Sequence, residues 1–367
     1  MKFLITGGGT GGHISPAIAI AKKIKKEMPN SDIIYIGTHN SMESELVPRE
    51  GFKFKAIRVK GFRRKLSIDT LKSVKELLLG LKDANKIIKD FSPDIVIGTG
   101  GYVCGPLVLM AALKNIPTLI HEQNALPGVT NRILSRFVDS IAASFKESKK
   151  YFHDESIVEI TGNPVKEDFF KVNSEKAYSS LSLNKNKKFI LSLGGSGGQK
   201  SLNDSMLYVI EKNINNNNLQ ILHVTGKKHY DKFISDLNKK GIISLPENIK
   251  VVPFFYDMPK GLSVSDLVIT SAGAITLAEI TSLGVPSIII PKGYTTGNHQ
   301  VHNAKAMEKA GASIMVLDNE VTGNILNEKI LKLLSDEKEL KEMSVRSKKL
   351  GNRDSTDMIY KMIKELI

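Results

Sequence analysis

The chain holds one cysteine, Cys104, and no tryptophan. A single thiol cannot form an internal disulfide, and such usage suits a reducing compartment. Aromatic residues make up only 6% of the 367 positions. No run of about 18 apolar residues occurs, which excludes a membrane-spanning helix. The N-terminal Met1-Lys2 leads straight into a short apolar run, without the apolar core and small-residue cleavage site of a signal peptide. The sequence has no His-x-x-x-His pair, Walker-type lysine loop or Cys-x-x-Cys pair. It also lacks a convincing Asp-x-Asp pair, so no metal or other cofactor is called for. Acidic residues are scarce beside basic ones: 38 Asp and Glu against 52 Lys and Arg, a formal net charge of +14.

What the chain does have is glycine in two special places. Gly7-Gly8-Gly9-Thr10-Gly11-Gly12-His13 follows the apolar run Phe3-Leu4-Ile5, and Gly194-Gly195-Ser196-Gly197-Gly198 follows Phe189-Ile190-Leu191. Strand, glycine turn and helix start together make an anion site, because the backbone approaches closely and helix N–H groups point at negative charge. Two such units half a chain apart predict two nucleotide-binding-type domains.

Apolar strand-like runs recur at 3–6, 33–36, 54–57, 95–98, 118–121, 140–143 and 158–161, then at 189–193, 220–225, 249–252, 267–270, 287–290 and 313–316. Helical patterns lie between them, among them 16–28 and 68–90, with Pro16 read as a first-turn proline. This alternation predicts βαβ units and parallel sheets covered on both faces. Gly162-Asn163-Pro164 marks a domain boundary, residues 213–218 read as an exposed polar loop, and 354–367 as an amphipathic helix.

Gly7-x-Gly9-x-x-Gly12 matches the dinucleotide fingerprint, but the next strand ends in Gly37-Thr38 rather than an acidic residue, which disfavours a dehydrogenase. His13 is either a polar cap of its helix or a general base suited to neutral pH. Gly98-Thr99-Gly100-Gly101-Tyr102 and His121-Glu122-Gln123-Asn124 follow strands, where open α/β sheets bind ligands. The second set is either a site or a hydrogen-bonded network tying loops together. In the second half, residues 270–276 lead into a helix carrying Glu279, which either accepts ribose hydroxyls or is a solvated helix residue. The polar loop 293–300 is placed to read sugar hydroxyls.

These loops, in this order, closely resemble the MurG family of peptidoglycan glycosyltransferases, of the GT-B fold. The resemblance is carried by residues 8–13, Gly100-Gly101-Tyr102-Val103, His121-Glu122-Gln123-Asn124, Gly162-Asn163-Pro164-Val165, Gly194-Gly195-Ser196, Ala272-Gly273-Ala274 and His299-Gln300 with Asn303-Ala304. It implies an α/β chain of two Rossmann-like parallel-sheet domains facing a cleft. Residues 1–163, with a C-terminal helix 350–367 packing back on them, would take the acceptor and the membrane, and 164–349 would hold UDP-GlcNAc. The implied reaction is inverting transfer of N-acetylglucosamine to the C4 hydroxyl of MurNAc in lipid I, giving lipid II and UDP. His13 is then the expected base, with Glu122 in reserve. On the donor side the resemblance places Lys166, Ser196, Phe254, Phe255, Ala274, Ile275, Thr276, Glu279, His299, Gln300 and Asn303, with Thr10, Gly11, Gly12 and Asn124 from the first half. Gly9, Gly100, Gly101, Tyr102 and Asn131 are implied for the acceptor. Three departures from the family pattern stand out: Lys166 and Ser271 where arginine is common, and Gly197-Gly198-Gln199 where Gln-Gly-Ala is commoner.

The basic stretch between Lys53 and Lys75 reads either as a solvated loop beside a core helix or as a patch for an anionic surface. Sparse aromatics and the absence of nucleic-acid motifs argue against nucleic acid. Under the family resemblance, Lys60, Arg63, Arg64, Lys65, Lys72 and Lys75, with Leu77, Leu78 and Leu79, are expected to meet the cytoplasmic face of a bacterial membrane peripherally. Other cell-wall enzymes are expected partners. A GT-B enzyme acting on another lipid, a UDP-sugar epimerase and a non-catalytic nucleotide-sugar adaptor are the alternatives.

Overall fold

The computed structural model describes residues 1–61, 68–195 and 197–367, with the backbone alone at 68–72, 74 and 296. The described residues form two compact units: Met1–Val165 with Arg353–Ile367, and Lys166–Asn352.

In the first unit seven strands are described: β1 (Lys2–Thr6), β2 (Asp32–Gly37), β3 (Lys53–Ala56), β4 (Ile95–Gly98), β5 (Thr118–Glu122), β6 (Ser140–Ala143) and β7 (Val158–Ile160). They pair in parallel in the order β3-β2-β1-β4-β5-β6-β7. In the second unit six are described: β8 (Lys188–Leu193), β9 (Leu219–Val224), β10 (Ile249–Val252), β11 (Leu267–Thr270), β12 (Ser287–Ile289) and β13 (Ser313–Met315). Their order is β10-β9-β8-β11-β12-β13, again all parallel. Each apolar run read from the sequence forms a strand.

Helices cover both faces of each sheet, so the central strands are apolar along their length rather than alternating. In β1, Phe3 and Ile5 join one core with Ile14, Ala17 and Ile20 of the helix Gly11–Glu27. Leu4 joins the opposite core with Ala84 and Leu107, from the helices Ile68–Phe91 and Cys104–Ala112. The C-terminal helix Ser355–Leu366 buries Ile359, Met362 and Ile363 in the core beside Gly11–Glu27, and Asp357 pairs with Lys23.

Two local expectations are corrected. The first helix begins at Gly11, five residues before Pro16, so the proline lies inside it and His13 sits in its first turn. Proline has no N–H to give to the Gly12 carbonyl, so the helix goes without that one hydrogen bond near its start. Asn213 is not part of an exposed loop. It is buried at the end of the helix Lys200–Asn213, and its Nδ2 donates to the Val209 carbonyl at 2.8 Å and Asn327 Oδ1 at 2.7 Å.

In both sheets the strand order reverses about the first strand of the unit. This places a crevice at the carboxyl ends of β1 and β4, and another at those of β8 and β11. Such switch points are where open α/β sheets bind ligands.

Candidate active site

At the first crevice the two glycine turns interlock. Gly8 N–H donates to the Gly100 carbonyl at 3.3 Å. A Cβ on Gly101 would stand 2.3 Å from the Gly8 oxygen, and Gly101 has φ +84°. Only glycine allows this approach. Tyr35 Oη donates to the Gly7 carbonyl at 2.6 Å from below. Glu43, fully buried, accepts from Gly9 N–H at 3.3 Å, from Thr38 N–H at 3.2 Å and from Thr38 Oγ1 at 2.8 Å. Burial works against its charge, but these and neighbouring hydrogen bonds hold its carboxyl below the usual range. The acidic residue missing at the end of β2 is thus replaced by one that braces the turn from within, a role the sequence reading missed.

His13 lies over Gly100, where an added Cβ would come within 2.9 Å of its Cδ2 and 3.2 Å of its Nε2. Its Nδ1 is 3.0 Å from the Gly8 carbonyl. A carbonyl can only accept, so Nδ1 carries the proton and the lone pair falls on Nε2. Thr10 Oγ1, 3.3 Å from Nδ1, and Thr99 Oγ1, which donates to the His13 carbonyl at 2.7 Å, fix the residue further. Gly11 and Gly12 occupy the first positions of the same helix. Tyr102 is exposed and stacks near Gly9 and Gly61.

His121, Glu122 and Gln123 turn inward. Gln123 Nε2 donates to the Thr99 carbonyl at 2.7 Å and to His121 Nδ1 at 2.9 Å, and His121 Nε2 donates to the Gly162 carbonyl at 3.2 Å. Burial holds the His121 pKa down to about 4, so the ring is neutral. Glu122 accepts from Asn124 N–H at 2.9 Å, Asn124 Nδ2 at 3.2 Å, Gly128 N–H at 3.1 Å and Asn131 Nδ2 at 2.8 Å. The hydrogen-bonded network that the sequence reading allowed is present. Its carboxylate shapes the loop 123–131 and is saturated by that work.

At the second crevice, the turn after β8 packs tightly. A Cβ on Gly198, at φ +73°, would meet the Thr225 carbonyl oxygen at 2.2 Å. Ser196 lies outside the described residues. The helix Ala274–Leu283 starts at the end of β11, presenting Ala274, Ile275 and Thr276 in its first turn. Glu279, on the same helix, has no hydrogen-bond partner among the described residues. Burial raises its pKa to about 7, against a lowering by the exposed Lys166. Phe255 packs against Gly261, whereas Phe254 is exposed, 4.6 Å from the Tyr256 ring centroid and with Lys227 over its face at 5.8 Å.

Gln300 and Asn303, expected at the sugar-reading positions, are both anchored to backbone. Gln300 Oε1 accepts from Ala272 N–H at 3.1 Å and Lys292 N–H at 3.0 Å, stapling the loops after β11 and β12. Asn303, fully buried, donates from Nδ2 to the Ala272 carbonyl at 3.1 Å. His299, half-buried, opens the helix His299–Lys309. Gln199, named above only as part of a departure from the family pattern, gathers here with Lys292 and Asp318, which were not singled out in the sequence. Gln199 Nε2 donates to Asp318 Oδ1 at 2.7 Å, and Ser201 Oγ donates to the same oxygen.

Two Rossmann-like parallel sheets, each with glycine turns flanking its switch point, define a two-domain α/β protein of the GT-B class. The glycosyltransferase family 28 N-terminal domain matches residues 3–143 and its C-terminal domain residues 189–359. The chain belongs to glycosyltransferase family 28. It is 47% identical to the UDP-N-acetylglucosamine--N-acetylmuramyl-(pentapeptide) pyrophosphoryl-undecaprenol N-acetylglucosamine transferase of Acetivibrio thermocellus, over 100% of this chain and 98% of that protein. It is 48% identical to the enzyme of the same name from Clostridioides difficile, over 98% of this chain and 88% of that protein. Among solved structures it resembles Acinetobacter baumannii MurG, with 28% identity, a TM-score of 0.78 and 99% of each chain covered. A UDP-GlcNAc 2-epimerase from Neisseria meningitidis shares the fold, with a TM-score of 0.71, 18% identity and full coverage of both chains.

Proposed function

We propose that this glycosyltransferase moves N-acetylglucosamine from UDP-GlcNAc to the C4 hydroxyl of MurNAc in lipid I, with inversion, giving lipid II and UDP. The observation that carries this reading is the pair of switch-point sites with complementary chemistry. The first holds a histidine with its lone pair on Nε2, and the second a half-buried carboxyl with no hydrogen-bond partner among the described residues, beside a glycine anion turn. The names of the full-length relatives point the same way.

In this mechanism the second unit binds the donor. Glu279 accepts the ribose hydroxyls, Phe254 and Phe255 flank the uracil, and the turn 194–198 with the start of Ala274–Leu283 receives the diphosphate. His13 Nε2 takes the proton as the C4 O–H bond breaks and the new O4–C1 bond forms. The C1–O bond to phosphate breaks, and its electron pair leaves with UDP. Backbone N–H groups aimed at the phosphates stabilise that growing charge more than the ground state. Glu122, saturated by four donors, acts as a positioning residue for Asn124 and Asn131 on the acceptor side.

The lipid acceptor requires work at a membrane surface. Arg63, Arg64 and Lys65 lie outside the described residues, as does the Lys72 side chain. Lys60, Lys75 and Leu78 are exposed, while Leu77 and Leu79 are half-buried. The sequence reading missed Leu113, Val129, Ile133 and Phe137, all exposed and flanked by exposed Arg132 and Arg136. Leu113 follows the helix Cys104–Ala112, which packs between Ile68–Phe91 and Val129–Leu134. This face is the basis for peripheral attachment to an anionic bilayer, and no described helix is long and apolar enough to cross one.

The test is incubation with labelled UDP-GlcNAc and a lipid I analogue. Acceptor-dependent β-linked product is expected. Tight UDP-GlcNAc binding with no transfer, or conversion to an epimer, would overturn the reading.

A further inference from the structure

Lys292 stands just beyond the end of β12, outside every motif of the sequence analysis. Its backbone is pinned beside the loop after β11, because Gln300 Oε1 accepts from both Lys292 N–H and Ala272 N–H. From there the side chain turns back across the end of β11 to the turn after β8. Its Nζ donates to the Gly198 carbonyl at 2.8 Å. It lies 3.9 Å from the place where a Cβ on Gly195 would stand, and Ser271 Oγ lies 3.4 Å from that same point. The ammonium is therefore at the β8/β11 switch point, against the glycine turn itself.

Its electrostatic situation is unusual. The side chain is half-buried, and no carboxylate pairs with it among the described residues. The nearby Asp318 carboxylate is engaged by Gln199 and Ser201. Partial burial of a cation with a neutral carbonyl as its bonded partner is costly, and that cost is offset when an anion arrives. Burial accordingly lowers the Lys292 pKa, with Asp318 acting in the opposite direction. Gly195, Gly197 and Ser271 bring no charge to the turn; Lys292 does.

We propose that Lys292 is a ligand of the donor diphosphate and opposes the charge that develops on UDP as the sugar leaves. This rests on the reading of the second unit as the donor site. The phosphate chain would lie beside Gly195 and Gly198, with the ammonium reaching over from the end of β12. A point charge placed where charge grows acts on the leaving step as well as on binding.

The test compares uridine and UDP binding by calorimetry in the full chain, with Lys292→Gln, Lys292→Met and Lys292→Arg. Lys292→Gln removes the charge while keeping an N–H donor on the side chain, and Lys292→Met removes both. The expected result is UDP binding at least tenfold weaker in Lys292→Gln and Lys292→Met, uridine binding unchanged within twofold, and most of the loss restored in Lys292→Arg. The transfer rate should fall by more than the UDP affinity does. Thermal unfolding identifies which neutral variant is folded, and either one decides the matter. Equal losses for uridine and UDP, or unchanged UDP affinity, would overturn the inference. Wild-type protein that binds neither ligand would sink the donor-site reading, and this inference with it.

Discussion

His13, half-buried, combines three constraints: a fixed tautomer, a place in the first turn of a helix, and close contact with a glycine turn. As a general base it should contribute about 10²–10⁴-fold to the rate. His13→Ala is therefore expected to lower turnover by that order and leave UDP affinity nearly intact. Loss of UDP binding in the variant would remove it from the acceptor side. Glu279 carries a different signature. With its pKa raised to about 7 by burial, it is half protonated near neutrality. Ribose hydroxyls donate more strongly to the ionised carboxylate, so binding favours that form. UDP affinity should then fall as pH drops from 8 to 6, by up to roughly tenfold, since the carboxyl must first release its proton. Glu279→Gln should bind more weakly and lose this pH dependence; an unchanged pH profile would deny the contact.

At the scale of the element, both crevices are made by turns that touch other turns. Gly8 meets Gly100 and Gly101, Gly198 meets Thr225 and Gly226, and Gln300 joins the loops after β11 and β12. Such contacts make the loops behave as one rigid rim rather than as independent connections. Gly101→Ala tests this, because it places a Cβ 2.3 Å from a backbone oxygen at a positive φ. It should cost about 2 kcal/mol or more and displace the Gly8 turn beneath His13. Urea unfolding should show the loss, and transfer should fall further than the stability change explains. A fully active, equally stable Gly101→Ala protein would contradict the interlocked rim.

For the whole molecule, the surplus of positive charge and the exposed apolar residues of the first unit point to one physical setting. A basic face gains about 1 kcal/mol per lysine or arginine near an anionic surface, and salt screens that gain. Binding to anionic vesicles should weaken steeply between low and high salt, as read by co-sedimentation. Ile133→Asp, on the exposed side of Val129–Leu134, should remove much of the salt-resistant remainder. Equal binding to neutral and anionic vesicles would argue that charge plays no part.

The apolar runs and their glycine and polar boundaries were enough to determine the parallel strands seen among the described residues, whereas the GT-B class was implied by the resemblance that the loop motifs carry in their order. A strand buried on both faces must be apolar along its whole length, and that requirement is written locally. The two glycine turns were legible for the same reason, since close backbone approach demands glycine where the chain turns. The helix Gly11–Glu27 starts ahead of Pro16, because a first-turn proline is a preference and does not by itself fix where a helix begins. What polar residues do was decided by the tertiary structure alone. That Gln300 joins two loops, that Glu122 accepts from its own loop and that Lys292 reaches a turn 94 positions away could not be read from the chain. Each outcome depends on hydrogen-bond partners supplied by distant strands. Those partners are brought within reach only when the sheet order forms the crevice.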